Sequence, residues 1–374
     1  MIPFNKPCVI GKESQAIQEA MTQSKLSGNG PFGQKCTNWL EKHLDCEKAL
    51  LTPSCTAALE MTALLTEVSE GDEVIMPSYT FVSTANAFAL RGASIRFVDV
   101  EPSTMNINPV KIEEAITEHT KAIVIVHYAG IACDMHAIMD IAYRHHLWVI
   151  EDAAQALLST YKEEPLGTIG HFGTISFHET KNITCGEGGA LIINEESAVE
   201  RAEILQEKGT NREQFIKGMV DKYTWRDIGS SYLLSDLNAA YLHVQLEHAE
   251  TINHERKLIW EYYDYELQPL FDSRELSGPT VPDSCEHNGH LYYLKTSCEE
   301  ERSHLIEFLN DQGIMAVSHY VPLHSAHAGK RNGSFSGVDQ YTTTESQKLV
   351  RLPLYYGIEK EDVDHVVNCL HQFY

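Results

Sequence analysis

Basic side chains are scarce: 29 Lys and Arg stand against 53 Asp and Glu in 374 residues, a formal charge of −24. A field of that sign repels nucleic-acid backbones and anionic membranes, which argues against binding either. Any phosphate-bearing ligand then has to be held by a local pocket of donors. Cys-x-x-Cys pairs are absent. The nine cysteines (Cys8, Cys36, Cys46, Cys55, Cys133, Cys185, Cys285, Cys298 and Cys369) are odd in number and scattered, as in a reduced protein with neither a disulfide framework nor a metal site. No run approaches the roughly 18–20 apolar residues of a membrane span, and the opening MIPFNKPCVIGKE lacks the apolar stretch of a signal peptide, so the expected location is the cytoplasm. Repeats and low-complexity segments are also missing. What remains is 43% hydrophobic and long enough for a large core in two or three domains, at about 100–200 residues per domain.

The pattern is an alternation of short apolar runs with helical stretches. The turn at 52–56 leads into a helix at Ala57–Leu65, GDEVIMP holds a strand at Glu73–Met76, and SYTFVSTANAFALRG reads as a helix stopped by Gly92. Ser94–Val98 is a strand, Pro109–Ala115 a helix, Ala122–His127 an apolar strand, Ala137–His145 a helix, and LWVIED a strand ending at Asp152. Strands separated by crossover helices predict a parallel sheet covered on both faces. Thr174–Phe177 and Ala190–Asn194 flank a glycine-rich turn as two short strands. From Ser235, a plausible N-cap, the run to Leu267 reads as one long helix. LYYLKTS, the helix ERSHLIEFLNDQ stopped by Gly313, and the strand-like MAVSHYVPLH then predict a smaller α+β domain. The expected division is 1–250 and 251–374, with the boundary near 245–265.

In an open parallel sheet, ligands sit beyond the carboxyl ends of the strands. Thr56 and Ala57 lie at a helix N-terminus, which suits an anion such as phosphate and equally suits an ordinary cap. Phe81 opens a helix after a strand, as a stacking platform or as core. Asp152 ends an apolar strand, where a carboxylate needs a partner such as a protonated ring nitrogen; the alternative is a cap for a helix at Ala153–Leu157. Lys181 follows an apolar strand and precedes Gly186-Glu-Gly-Gly189. There, partial desolvation would turn an ammonium into a usable amine, whereas an ordinary lysine would be solvated.

SCTAAL, PSYTFVSTANA, EDAAQ, SFHETKNITCGEGGA, YLLSDLNAA and HYVPLH, in that order through nearly the whole chain, resemble the pyridoxal-phosphate sugar aminotransferases of the DegT/DnrJ/EryC1/StrS family. Within it the motifs are most similar to those of transaminases that act on dTDP-4-dehydro-6-deoxyglucose to give dTDP-4-amino-4,6-dideoxygalactose. The resemblance implies an aspartate-aminotransferase-like α/β fold (type I), with a large domain built on a mostly parallel mixed sheet and a smaller carboxyl-terminal α+β domain. It also implies pyridoxal 5'-phosphate as cofactor, L-glutamate as amino donor, and a homodimer with active sites at the interface. Lys181 matches the lysine that bonds the cofactor aldehyde and moves the proton, and Asp152 the acid that pairs with the ring nitrogen. Gln155 matches the residue near the ring hydroxyl, Thr56, the Ala57 amide and Ser176 the phosphate cradle, and Phe81 the stacking aromatic. Tyr320 and His324 are the candidates for the sugar pocket, with domain-core packing as their alternative.

One departure stands out. Where the family commonly carries an amide or basic side chain that reaches the partner subunit's cofactor phosphate, this sequence has Leu233 within GSSYLLSD, and Leu233 donates no hydrogen bond; Ser230 or Ser231 is a possible replacement. The competing readings are a 3-keto-sugar aminotransferase, a 4-aminotransferase of gluco configuration, and a non-catalytic cofactor-binding regulator. The last is disfavoured by the intact Lys181, Asp152 and Gln155.

Overall fold

The computed structural model describes residues 1–374 except Ser24, Arg274 and Glu275. Two helices, α1 (Glu13–Thr22) and α2 (Pro31–Leu44), precede a β/α series: β1 (Lys48–Thr52), α3 (Cys55–Leu65), β2 (Glu73–Pro77), α4 (Val82–Ala89), β3 (Ser94–Val98), α5 (Pro109–Ala115), β4 (Thr120–Val126), α6 (Met135–His145) and β5 (Trp148–Asp152). A small hairpin, β6 (Thr160–Tyr161) and β7 (Glu164–Pro165), leads to β8 (Phe172–Ser176) and β9 (Gly189–Ile193). After α7 (Val199–Gln206), α8 (Arg212–Ile216), α9 (Asp236–Glu247) and α10 (Ala249–Asp272), β10 (Cys285–Glu286) joins the hairpin. The chain ends with β11 (Tyr292–Lys295), α11 (Glu299–Asp311), α12 (His327–Asn332), β12 (Gly333–Phe335), α13 (Thr342–Lys348), β13 (Leu349–Leu352) and α14 (Lys360–Phe373).

Eight strands form the main sheet in the order β1-β9-β8-β5-β4-β2-β3-β12. Pairing is parallel from β8 through β5, β4, β2 and β3 to β12, and β9 runs antiparallel to both neighbours. Strand β4 is buried at five consecutive residues, Ala122–Val126, as a strand covered on both faces must be. The β-strand ends at Thr52, Pro77, Asp152 and Ser176 therefore open on one edge of the sheet. A second core, around Tyr263, Leu267, Tyr292, Leu305 and Val366, joins α10, α11 and α14 to the two-stranded sheet β11–β13.

Three readings of the sequence change, and one strand is new. The long helix from Ser235 is two helices: His248 leaves helical geometry at φ −113°, ψ 10°, and its Nδ1 bonds the Val244 carbonyl at 2.9 Å. Ser235 is the N-cap, accepting from the Asn238 amide. The stretch 315–324 is not a strand. Val317 makes an isolated bridge to Arg351, and a 3-10 turn follows at Leu323–Ser325. No helix forms at 153–157, so Asp152 caps none. Residues 333–335 add an unanticipated edge strand to the main sheet, pairing in parallel with β3; a Cβ at Gly333 would lie 2.3 Å from the Ile95 carbonyl oxygen, so the approach requires glycine. Buried Asp236, at the start of α9, accepts from the Gly33 amide at 2.8 Å and so satisfies a free donor at the N-terminus of α2.

Candidate active site

A cavity of about 610 Å³ opens over the carboxyl ends of β1, β5 and β8 and is closed on its far side by the β11–β13 segment. The β8–β9 loop brings Lys181 to it through its own hydrogen bonds: the Lys181 amide donates to the His178 carbonyl, Glu179 to Gly186, and Cys185 to Phe177, each at 2.9 Å. The neighbouring Asn182 fastens this loop from behind. Its Nδ2 donates to Asn253 Oδ1 on α10 and to the Asn288 carbonyl, so its Oδ1 accepts from His290 Nδ1 at 2.9 Å. Burial holds the Lys181 ammonium below its ordinary range; the Arg351 cation adds to the shift, and Asp152 opposes it. The result is an amine that gives up its proton readily.

Asp152, 5% exposed, stands across the cavity floor. Its Oδ2 accepts from Thr84 Oγ1 at 2.7 Å and its Oδ1 from the Ala154 amide at 3.2 Å. Burial raises the Asp152 carboxyl, and the Thr84 hydroxyl pulls it back. Such a carboxylate is stabilised by a cation placed against it. Gln155 accepts from the Ala129 amide at 2.7 Å, which leaves its Nε2 to donate to the Tyr320 hydroxyl at 3.1 Å. Phe81 lies on the cavity wall yet is 54% exposed, an aromatic face with space over it.

At the other end, Ser54 is the N-cap of α3, its Oγ accepting from the Ala57 amide at 3.1 Å, while Thr56 Oγ1 bonds Ser83 Oγ at 2.7 Å. Ser54, Thr56 and Ser176 all line the cavity beside the first turn of α3, whose leading amides have no intrahelical partner. A Cβ at Gly189 would stand 2.4 Å from the Cys55 amide nitrogen, so the helix end reaches the sheet only over glycine. Lysine, carboxylate, exposed aromatic and hydroxyl-lined helix end together fit a phosphorylated aromatic cofactor.

The structure thus brings Thr56, Phe81, Asp152, Gln155, Ser176, Lys181 and Tyr320 to one cavity. Ala57 is set back from the wall, its amide taken by Ser54. The correction concerns His324, which does not line the cavity: Nδ1 bonds Ser78 Oγ at 2.7 Å and Nε2 faces Asp339 at 3.2 Å, tying its turn to the end of β2. Leu233 packs within its own chain, its Cβ 2.5 Å from where a Cβ on Gly28 would lie. Sequence reasoning missed Ser54, Thr84, His290, His319 and Arg351. The first had a visible signal, a serine one residue before a helix; Arg351 had one too, a lone cation within the apolar run LVRLPL. Thr84, His290 and His319 act through contacts 68 to 191 residues away, which no local pattern announces.

Comparison with known proteins agrees with this geometry. The chain is 32% identical to the spore coat polysaccharide biosynthesis protein SpsC of Bacillus subtilis, over 99% of this chain and 96% of that protein. Its fold matches the aminotransferase TlmJ of Streptoalloteichus hindustanus with a TM-score of 0.91 at 28% identity, covering 100% and 98% of the two chains. It also matches the pyridoxal-phosphate form of Spr1654 of Streptococcus pneumoniae, with a TM-score of 0.89 at 26% identity, covering 100% and 98%. The architecture is accordingly that of the pyridoxal-phosphate-dependent aminotransferases, and pyridoxal 5'-phosphate is the cofactor the site is built for. The model of the DegT/DnrJ/EryC1/StrS aminotransferase family matches residues 7–371, and the chain belongs to that family of sugar aminotransferases.

Proposed function

We propose that this protein transfers the amino group of L-glutamate to carbon 4 of dTDP-4-dehydro-6-deoxyglucose, giving dTDP-4-amino-4,6-dideoxygalactose. The observation that carries the transamination is Lys181 and Asp152 facing one cavity, the lysine held below its ordinary pKa and the aspartate buried. The bound cofactor supplies an electron sink for the substrate carbon. Asp152, oriented by Thr84 and the Ala154 amide, would hold positive charge on the ring nitrogen. Lys181, as a free amine, would take the proton from the donor's α-carbon and deliver it to the cofactor rather than back to that carbon, a step typically contributing ~10²–10⁴-fold. Gln155 would lie toward the ring hydroxyl, Phe81 would cover the ring, and Ser54, Thr56 and Ser176 would hold the phosphate. Tyr320, fixed by Gln155, is placed to meet the sugar.

The choice of sugar is supported by the closeness of PSYTFVSTANA, SFHETKN and KYTWRDIGSS to the 4-aminotransferases of the galacto series. We place the enzyme in the cytoplasm as a homodimer. No helix among the described residues is long and apolar enough to cross a membrane. Ile216, Met219 and Trp225 are exposed apolar side chains within ten residues of one another in the sequence, which a second copy of the chain would cover. Residues 1–250 and 251–374 serve as the cofactor-binding and smaller domains, with 333–335 lent back to the large sheet. Incubation with glutamate and the keto sugar, followed by proton NMR, tests the assignment. An axial amine leaves small couplings at the amine-bearing carbon; large couplings there, or an amine at carbon 3, overturn the sugar while leaving the transamination intact.

A further inference from the structure

Residues 2–8 form a strap along the catalytic cavity, tied down at both ends. Ile2 is buried in the second core, where its amide donates to the Gly313 carbonyl at 2.8 Å and its carbonyl accepts from the Met315 amide at 3.0 Å. Cys8 is buried in the core that α9 shares with the main sheet, and its carbonyl accepts from the Tyr241 hydroxyl at 3.0 Å and from Gln245 Nε2 at 3.2 Å. Pro3 and Pro7 stand just inside these anchors, and each fixes φ and carries no N–H, which stiffens the segment between them. Phe4 and Asn5, in that segment, line the cavity. Asn5 has one polar atom to spare there. Its Nδ2 donates to the Glu179 carbonyl at 3.3 Å, on the loop that carries Lys181, and among the described residues its Oδ1 has no partner. An amide oxygen is an acceptor only, so it can be satisfied only by a ligand that brings an O–H or an N–H.

We propose that Asn5 Oδ1 accepts a hydrogen bond from the hydroxyl on carbon 3 of the keto sugar and so takes part in choosing it. This rests on the keto-sugar half of the function proposed above. A lone acceptor sorts the ligands by what they can donate. The carboxylates of glutamate and the diphosphate of the sugar nucleotide bring acceptors only, and Oδ1 opposes them. Glutamate has one donor, its amino group, and the nitrogen to be transferred is committed to the cofactor. The thymine N–H and the deoxyribose hydroxyl lie beyond the diphosphate, away from the hexose. The hexose itself keeps two hydroxyls, on carbons 2 and 3, because carbon 4 is a ketone and carbon 6 a methyl group. Carbon 4 must come within reach of Lys181, and Asn5 is fastened two residues before Lys181, so the hydroxyl it meets is the one next to the ketone. The buried anchors at Ile2 and Cys8 hold this acceptor in place before the sugar arrives, which lowers the ordering cost of the contact.

The two half-reactions test this on the intact holoenzyme, each followed by the cofactor absorbance. Wild type and Asn5→Ala are titrated with L-glutamate, and the aminated form of each is then titrated with the keto sugar and with its 3-deoxy and 2-deoxy analogues. Loss of one neutral hydrogen bond raises the half-saturating keto-sugar concentration about 3- to 10-fold in Asn5→Ala, while the glutamate titration stays within about twofold of wild type. The analogues show whether the side chain and the hydroxyl are coupled. Removing the carbon 3 hydroxyl costs wild type about the same factor and costs Asn5→Ala almost nothing further, whereas removing the carbon 2 hydroxyl costs both proteins alike. If the strap only braces the fold, the glutamate titration moves with that of the sugar and the two deletions add; either result overturns the assignment. An unchanged keto-sugar titration in Asn5→Ala, or coupling to carbon 2 instead, does the same. A wild type that is aminated by glutamate and leaves the keto sugar unconverted overturns the proposed sugar and the carbon 3 contact with it, whereas each result above leaves that sugar standing.

Discussion

Replacing Asp152 with Asn removes one charge from the cavity floor and almost no volume. The Asp152 carboxylate is 5% exposed and accepts from Thr84 at one oxygen and from the Ala154 amide at the other; an asparagine there can accept from the Ala154 amide and donate its Nδ2 to Thr84 Oγ1, whose own proton can turn to Thr80. The fold therefore has little to lose. Thr84 itself is held by Thr80 at 2.8 Å, so the side chain at 152 keeps its orientation. What disappears is the anion facing the cofactor ring nitrogen. Removing one member of a buried ion pair costs about 3–5 kcal/mol. Only the part of that energy expressed more strongly in the transition state than in the ground state reaches kcat. At about 1.4 kcal/mol per tenfold, kcat for glutamate deamination should fall by about 10²-fold or more, with the thermal midpoint within a few degrees of wild type. Stopped-flow absorbance of the first half-reaction, alongside calorimetry, measures both. A kcat within about fivefold of wild type would show that Asp152 has no electrostatic part in the reaction. A collapse in stability would show that the carboxylate holds the fold instead.

Borohydride treatment of the holoenzyme should bleach its visible absorbance and leave the cofactor on the peptide containing Lys181; a label elsewhere, or normal turnover by Lys181→Ala, removes the lysine from its role. In cofactor-free protein, the pH midpoint for modification of Lys181 by an amine reagent should lie below the ordinary 10.5, because burial disfavours the ammonium, and Asp152→Asn should lower it further by deleting the anion that favours it. A midpoint at or above 10.5 in peptide mapping contradicts the burial argument. Gly189→Ala puts a methyl group 2.4 Å from the Cys55 amide nitrogen and should cost about 1–3 kcal/mol in urea unfolding, with weakened cofactor retention, since the N-terminus of α3 must retreat. An unchanged urea midpoint would mean that the helix end is not held against the sheet as described.

How far the sequence could be read depended on whether the deciding interaction was local. Helix α5 begins at Pro109 because Asn108 caps it, accepting from the Val110 amide at 2.8 Å, and both signals are adjacent residues; the expected bounds and the observed ones coincide. Strand β3 was equally legible, a five-residue run between Gly92 and Asp99. The division between α9 and α10 was not, because the helical period continues on both sides of His248 and the break is a side-chain bond to Val244 that no pattern encodes. Three residues, Gly333–Phe335, are too few to show a period, and only the presence of β3 makes them a strand.

The same rule sorts the site. Lys181 and Asp152 could be singled out because Asp152 ends an apolar strand and Lys181 lies in the loop that follows one, and the carboxyl ends of a parallel sheet necessarily meet along one edge. His324 shares a short motif with Tyr320, yet four residues are enough for the turn at Leu323–Ser325 to carry it out of the cavity, where Ser78 and Asp339 occupy both ring nitrogens. Arg351 shows the converse. A cation within LVRLPL conflicts with the burial of its neighbours, and such a conflict is kept only where something compensates it. Ser318 and Phe4 compensate part, through one nitrogen and one face of the guanidinium. Nε stays buried without a partner, so the strand keeps part of the cost of a cation that its apolar neighbours would not choose.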